Sequence, residues 1–77
     1  MKKEKHMPLI TVKVFEDELD QAQSKKLIEE ITNTVTQLTS EKLRPATWVV
    51  IEEIKDGHWG VAGNALSLDD VQKMMAD

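Results

Sequence analysis

The sequence predicts an α+β fold: a β-α-β unit with parallel strands, followed by a short C-terminal hairpin and a terminal helix, with the sheet completed by oligomerisation. Three observations predict it. Residues 9–15 alternate apolar and polar as a strand does, residues 20–38 repeat their apolar positions at helical spacing, and Trp48-Val49-Val50-Ile51 is a continuous apolar run of strand-forming residues. Two strands joined by one long helix pair in parallel. One helix covers one face of so small a sheet, and two strands are not independently stable, so a partner subunit is expected on the other face.

Each element has its own signal. In the first strand Ile10, Val12 and Val14 share one face, Thr11 and Lys13 the other, flanked by Leu9 and Phe15. Glu16-Asp17-Glu18-Leu19 is an acidic connection. Asp20 with Gln23 three residues on has the form of a capping box, and the helix behind it carries Leu27, Ile28, Ile31, Val35 and Leu38 as its apolar stripe. The helix has ended by Arg44-Pro45, where the proline predicts an extended Arg44. The second strand spans residues 47–54, and its unbroken apolar run reads as covered on both faces. Asp56-Gly57 marks a turn. His58-Trp59-Gly60-Val61-Ala62-Gly63 interleaves glycines with apolar residues, as a short extended segment or tight hairpin does. Ser67 with Asp70 opens a terminal helix through Val71 and Met74, whose Met74 and Met75 pack on a neighbouring subunit or fray.

Composition bounds the function. The 77 residues are 40% hydrophobic, enough for one small domain and marginal for a core that supports itself. The absence of cysteine removes disulfides, thiolate metal sites and thiol catalysis. No apolar run is long enough to span a bilayer and no signal peptide is legible, so the expectation is a cytoplasmic protein without membrane contact. The net charge is −4, and Arg44 is the single arginine. Residues 1–6 hold three lysines and one glutamate, which leaves 7 basic against 13 acidic residues in the body, and a nucleic-acid partner is not expected. Residues 1–7 read as a disordered basic head, an expression tag or a misplaced start, and residues 8–77 as the single domain. His6 and His58 make no metal pattern, and no cofactor is called for.

The remaining chemistry centres on Pro8. If translation starts at Met7 and that methionine is removed, Pro8 presents a free secondary amine, a base that no internal residue supplies. Behind an attached head the same nitrogen is an amide and is not basic. Pro8 heading a strand, the single long helix, the strand Trp48-Val49-Val50-Ile51-Glu52-Glu53 and the segment Gly57-His58-Trp59-Gly60-Val61-Ala62-Gly63 together resemble the 4-oxalocrotonate tautomerase family, from Pro8 to about Leu66. The resemblance implies an isomerase that uses an amino-terminal proline as general base to move a proton in an enol or dienol 2-oxo acid. It implies a homo-oligomer, usually a hexamer built from dimers and sometimes a dimer, acting on a small-molecule carboxylate.

By the same resemblance Pro8 is the catalytic position, Trp59 the aromatic wall of the pocket, Phe15 and Val61 lining positions, and Leu9 the residue whose backbone amide faces substrate. The family's two carboxylate-gripping arginines are absent, because Glu18 and Trp48 stand in their places. An indole offers one neutral N–H in place of a charged fork, and a carboxylate repels an acid. Arg44 either compensates or is a surface arginine near the helix carboxyl end. Trp48 is a pocket residue or an interface anchor. Lys13 either approaches Pro8 in an oligomer or is solvated, His58 reads as a surface histidine, and Glu52 and Glu53 face opposite sides of their strand. The rival function is a non-catalytic subunit that keeps the fold, and a basic-tailed nucleic-acid binder comes last.

Overall fold

The computed structural model describes residues 7–76. The expected basic head therefore lies outside the described residues except for Met7. The order is β1 (Leu9–Phe15), α1 (Gln21–Leu38), a 3₁₀ helix (Glu41–Ala46), β2 (Trp48–Ile54), β3 (Trp59–Val61), β4 (Asn64–Leu66) and α2 (Leu68–Met75). Strands β1 and β2 pair in parallel, with Leu9 opposite Trp48 and Phe15 opposite Ile54, and β3 and β4 form a separate antiparallel hairpin. No described helix is long and apolar enough to cross a membrane.

Both helices start as their sequences direct. The Asp20 side chain accepts the Gln23 N–H at 2.7 Å while the Gln23 side chain accepts the Asp20 N–H at 2.9 Å, and Ser67 and Asp70 make the same reciprocal pair at α2. Helix α1 lies on one face of the sheet, the face of Ile10, Val12, Val14, Val49 and Ile51, all of them half-buried. The other face is open. Leu9 and Trp48, paired in register, are 63% and 56% exposed, and Val50 beside them is exposed too. Within one chain α1 covers one face of β2, and the hairpin, through Trp59 on Phe15, reaches only the far end of the other, the face on which a partner subunit is expected.

Two further expectations are corrected. Leu38 is exposed rather than part of the buried stripe, and Thr36 is buried instead. Eighteen helical residues span about 27 Å against about 23 Å for a seven-residue strand, so the last turn of α1 runs past the sheet. Thr36 tolerates burial because its hydroxyl donates to the Thr32 carbonyl at 3.1 Å. Arg44 is helical rather than extended: the chain between α1 and β2 is a 3₁₀ helix that contains Pro45. At its two ends the Leu43 amide donates to the Ser40 carbonyl and the Thr47 amide to the Arg44 carbonyl.

The hairpin turns through Ala62 and Gly63, with φ of 52° and 81°. Two positive-φ residues in a two-residue connection define the mirror-image turn that matches strand twist, for which Asn-Gly is the favoured pair. Alanine is strained there. Ala62→Asn is therefore expected to stabilise the protein by about 0.5–1 kcal/mol, read as a higher urea midpoint at unchanged slope, and an unchanged or lowered midpoint would contradict the strain.

Candidate active site

Pro8 sits at the mouth of β1, half-buried, and its carbonyl accepts the Trp48 N–H at 2.8 Å. That bond fixes the ring against the start of β2. With Met7, Thr39, Ser40 and Leu43 it borders an open depression of about 570 Å³ at the carboxyl end of α1. Leu9 and Trp48, next to Pro8 and paired in register, stand on the open face and are not part of that lining. Pro8, Leu9 and Trp48 are thus brought together by parallel register alone.

Phe15, Trp59 and Val61 are elsewhere. Phe15 is 3% exposed and is the one deeply buried apolar side chain among the described residues. Trp59 stacks on it with centroids 4.9 Å apart and planes inclined by 22°. Val61, two residues along β3, is exposed on the same face of the hairpin as Trp59. Seven residues of extended chain, about 23 Å, separate Pro8 from Phe15, so one chain does not place Trp59 beside Pro8.

The charged candidates are also sorted. Arg44 donates through Nε to Glu41 Oε1 at 2.9 Å and through Nη2 to Glu41 Oε2 at 3.0 Å, to Asn33 Oδ1 at 3.0 Å and to Thr36 Oγ1 at 3.2 Å. The guanidinium therefore ties the 3₁₀ helix to the last turns of α1. This bond holds Glu41 below the ordinary carboxylate value, with a smaller contribution from the Thr36 hydroxyl, and raises Arg44 above the usual guanidinium value. Glu18 turns inward on its own loop, where its Oε1 accepts the Phe15 N–H at 2.9 Å. Asp17 before it takes the left-handed φ of 69° that aspartate tolerates.

Lys13 pairs across the sheet with Glu52, its register partner. It also lines a cavity of about 220 Å³ with Ile54, His58, Trp59 and Gly60. The alternation of β1 puts Lys13 on this face, but nothing in the sequence signals the cavity, because β3 folds over the far end of β1 through contacts remote in sequence. Among the described residues no cluster of three histidine, aspartate or glutamate side chains is arranged to hold a metal.

The chain is a small β-α-β unit with a proline at the head of its first strand and an aromatic hairpin at the far end, and comparison gives its family. The model of the tautomerase family, described as "Tautomerase enzyme", matches residues 8–69. Probable tautomerases of Staphylococcus aureus (strain Mu50) and Staphylococcus haemolyticus are each 46% identical over 57 residues. The match covers 74% of this chain and 90% and 89% of theirs. The crystal structure of SAR1376, a candidate 4-oxalocrotonate tautomerase from methicillin-resistant S. aureus, superposes with a TM-score of 0.67 at 41% identity, over 77% of this chain and 92% of that one. YwhB, described as a homologue of 4-oxalocrotonate tautomerase, gives 0.66 at 32% identity over 74% and 90%. The chain belongs to the tautomerase family. Helix α2 begins within the matched residues and continues beyond them from Asp70.

The Arg44–Glu41 pair yields a pH prediction. Because Glu41 is depressed in the folded state, its contribution is complete above its ordinary value of 4.5 and is lost as pH falls below that through the depressed value. Glu41→Gln is expected to lower the thermal midpoint at pH 7 and to flatten its decline below pH 4.5, whereas equal declines in both proteins would remove the pair from the stability of this region.

Proposed function

We propose that the protein is an enol-acid tautomerase in which Pro8, as the amino-terminal residue, is the general base. Family membership carries the reaction class, and Pro8 at the head of β1 carries the residue. A secondary amine shielded from water and near a cation loses basicity, since both disfavour the ammonium form, and is then free to accept a proton near neutrality. The amine takes the proton from the enol hydroxyl, the electron pair left on oxygen forms the carbonyl, and the C=C pair takes the proton back from the prolinium at carbon. Nothing is gained or lost overall, as an isomerisation requires. This chemistry needs a chain that begins at Pro8, because the nitrogen that follows Met7 in the full sequence is an amide.

We further infer that the active site is assembled from two copies of the chain. One copy contributes Pro8, Leu9 and Trp48, and a second contributes Phe15, Trp59 and Val61. The span of about 23 Å between the two groups in one chain supports this, because a small acid cannot bridge it. So does the open sheet face, where exposed Leu9, Trp48 and Val50 form an apolar surface that a second copy would cover. A chain with Phe15 as its one deeply buried apolar side chain gains a core by such association.

Two measurements test these readings. Protein beginning at Pro8 is expected to ketonise phenylenolpyruvate at least a hundredfold faster than its Pro8→Ala variant or the chain that retains residues 1–7, in line with general-base contributions of about 10²–10⁴; equal rates would refute the base. Separately, Pro8→Ala and Trp59→Ala subunits, each impaired alone, are expected to recover activity when unfolded and refolded together, since mixed assemblies contain a site with both native residues. No recovery would place the whole site in one chain.

A further inference from the structure

We propose that Lys13 is the cation that receives the substrate carboxylate, in the cavity it lines with Trp59 and His58, and that Glu52 is the counter-ion this carboxylate displaces. The proposal takes its substrate class from the tautomerase reading and assigns a role to residues that reading leaves unused.

The cations differ in what they are free to do. The Arg44 fork is spent on Glu41, Asn33 and Thr36. Lys26 pairs with Glu30 at 3.1 Å and borders an open groove beside Leu19 and Leu27 that has no aromatic wall, and Lys73 pairs with Asp69 at 3.2 Å on α2. Lys13 is different in its setting. It stands on the open face of β1, two residues before Phe15, and its side chain borders a cavity floored by Ile54 and walled by Trp59. A charge and an indole in one cavity are what an aryl or dienyl carboxylate requires: an apolar wall for its planar body and a donor for its acid end. His58 adds a ring nitrogen to the same rim.

The Lys13–Glu52 pair does not preclude this. Both side chains are about half exposed, at 58% and 49%, and pairs in that setting contribute little to stability. A ligand carboxylate held also by stacking on Trp59 therefore exchanges for Glu52 at small cost. Lys13 also moves with Trp59, because the two border one cavity of one chain. Whatever association brings the Trp59 wall to the Pro8 of a second copy brings this ammonium with it, to a place where a cation lowers the basicity of the amine as well as holding the acid.

The test separates this role from that of Pro8. The full chain is titrated with 3-phenylpropanoate and with the neutral 3-phenylpropanol, following the indole N–H resonance of Trp59. The acid is expected to bind about tenfold tighter than the alcohol, the effect of one charge-assisted hydrogen bond. Lys13→Met should remove that preference while leaving alcohol affinity unchanged, which shows the wall intact. Lys13→Arg should keep the preference, and Glu52→Gln should enlarge it severalfold by removing the competitor. No acid preference, no binding of the acid at millimolar concentration, or a preference that survives Lys13→Met would each overturn the proposal. The same titration on Pro8→Ala is expected to be unchanged. If turnover of phenylenolpyruvate by protein beginning at Pro8 survives Pro8→Ala while the acid preference still depends on Lys13, the proline base fails and the Lys13 site stands. Turnover that depends on Pro8 with no Lys13-dependent preference gives the reverse.

Discussion

The parallel pairing of β1 with β2 is the constraint on which the rest of the molecule depends. A parallel pair needs a crossover, and α1 is the crossover; one crossover covers one face and leaves the other bare. The same pairing decides what lies near Pro8. Because both strands run the same way, the start of β1 meets the start of β2, and the Trp48 amide closes onto the Pro8 carbonyl. The ends of the two strands meet as well, and there Phe15 and Ile54 form the platform on which the hairpin folds. Parallel register thus divides the candidate site between two ends of one sheet, and the bare face lies between them.

How much of this was legible in the sequence follows from how local each signal is. The alternation of residues 9–15, the two capping boxes and the glycine-spaced hairpin are patterns within a few residues of one another, and each was found where it was expected. The misreadings are non-local. Leu38 keeps the helical period but lies past the end of a sheet whose length the helix sequence does not contain. The neighbour Pro45 points to an extended Arg44, whereas the residue sits in a 3₁₀ helix and its guanidinium joins Glu41 to Asn33 and Thr36 on an element earlier in the chain. Pro8 was legible as a strand-heading residue, and its distance from Trp59 was not, since that distance is a property of the sheet.

Strain and structural commitments cluster around the hairpin end. Asp17 and Ala62 both hold positive φ, in the connections that follow β1 and β3. Glu18 spends a carboxylate oxygen on the Phe15 amide, and Asp56 spends one on the Leu68 amide at 2.9 Å, which ties the start of α2 to the loop before the hairpin. These bonds hold loops of low propensity against a single aromatic stack. Glu18 is best understood in this light. Where the family resemblance places an arginine for a ligand, this chain has a residue that serves its own backbone.

The exchange of arginines for Lys13 has a consequence for the reaction proposed. A guanidinium fork fixes a carboxylate in plane and in register through two parallel bonds, whereas an ammonium is a point charge on a flexible stem that accepts a carboxylate from many directions. Orientation must then come from the wall, and Trp59, held by its stack on Phe15, offers a wide and rigid one. Such a site selects a flat apolar body with one acidic end more strongly than it selects the spacing between two acidic ends. Bringing the enol carbon within reach of the Pro8 nitrogen is a matter of positioning, and positioning by stacking is looser than positioning by two forks. In the proposed site the chemistry of the base is unaffected by this, because the amine depends on shielding and a nearby positive charge, the part proposed for Lys13. The arrangement proposed therefore trades discrimination among substrates, and some rate, for tolerance.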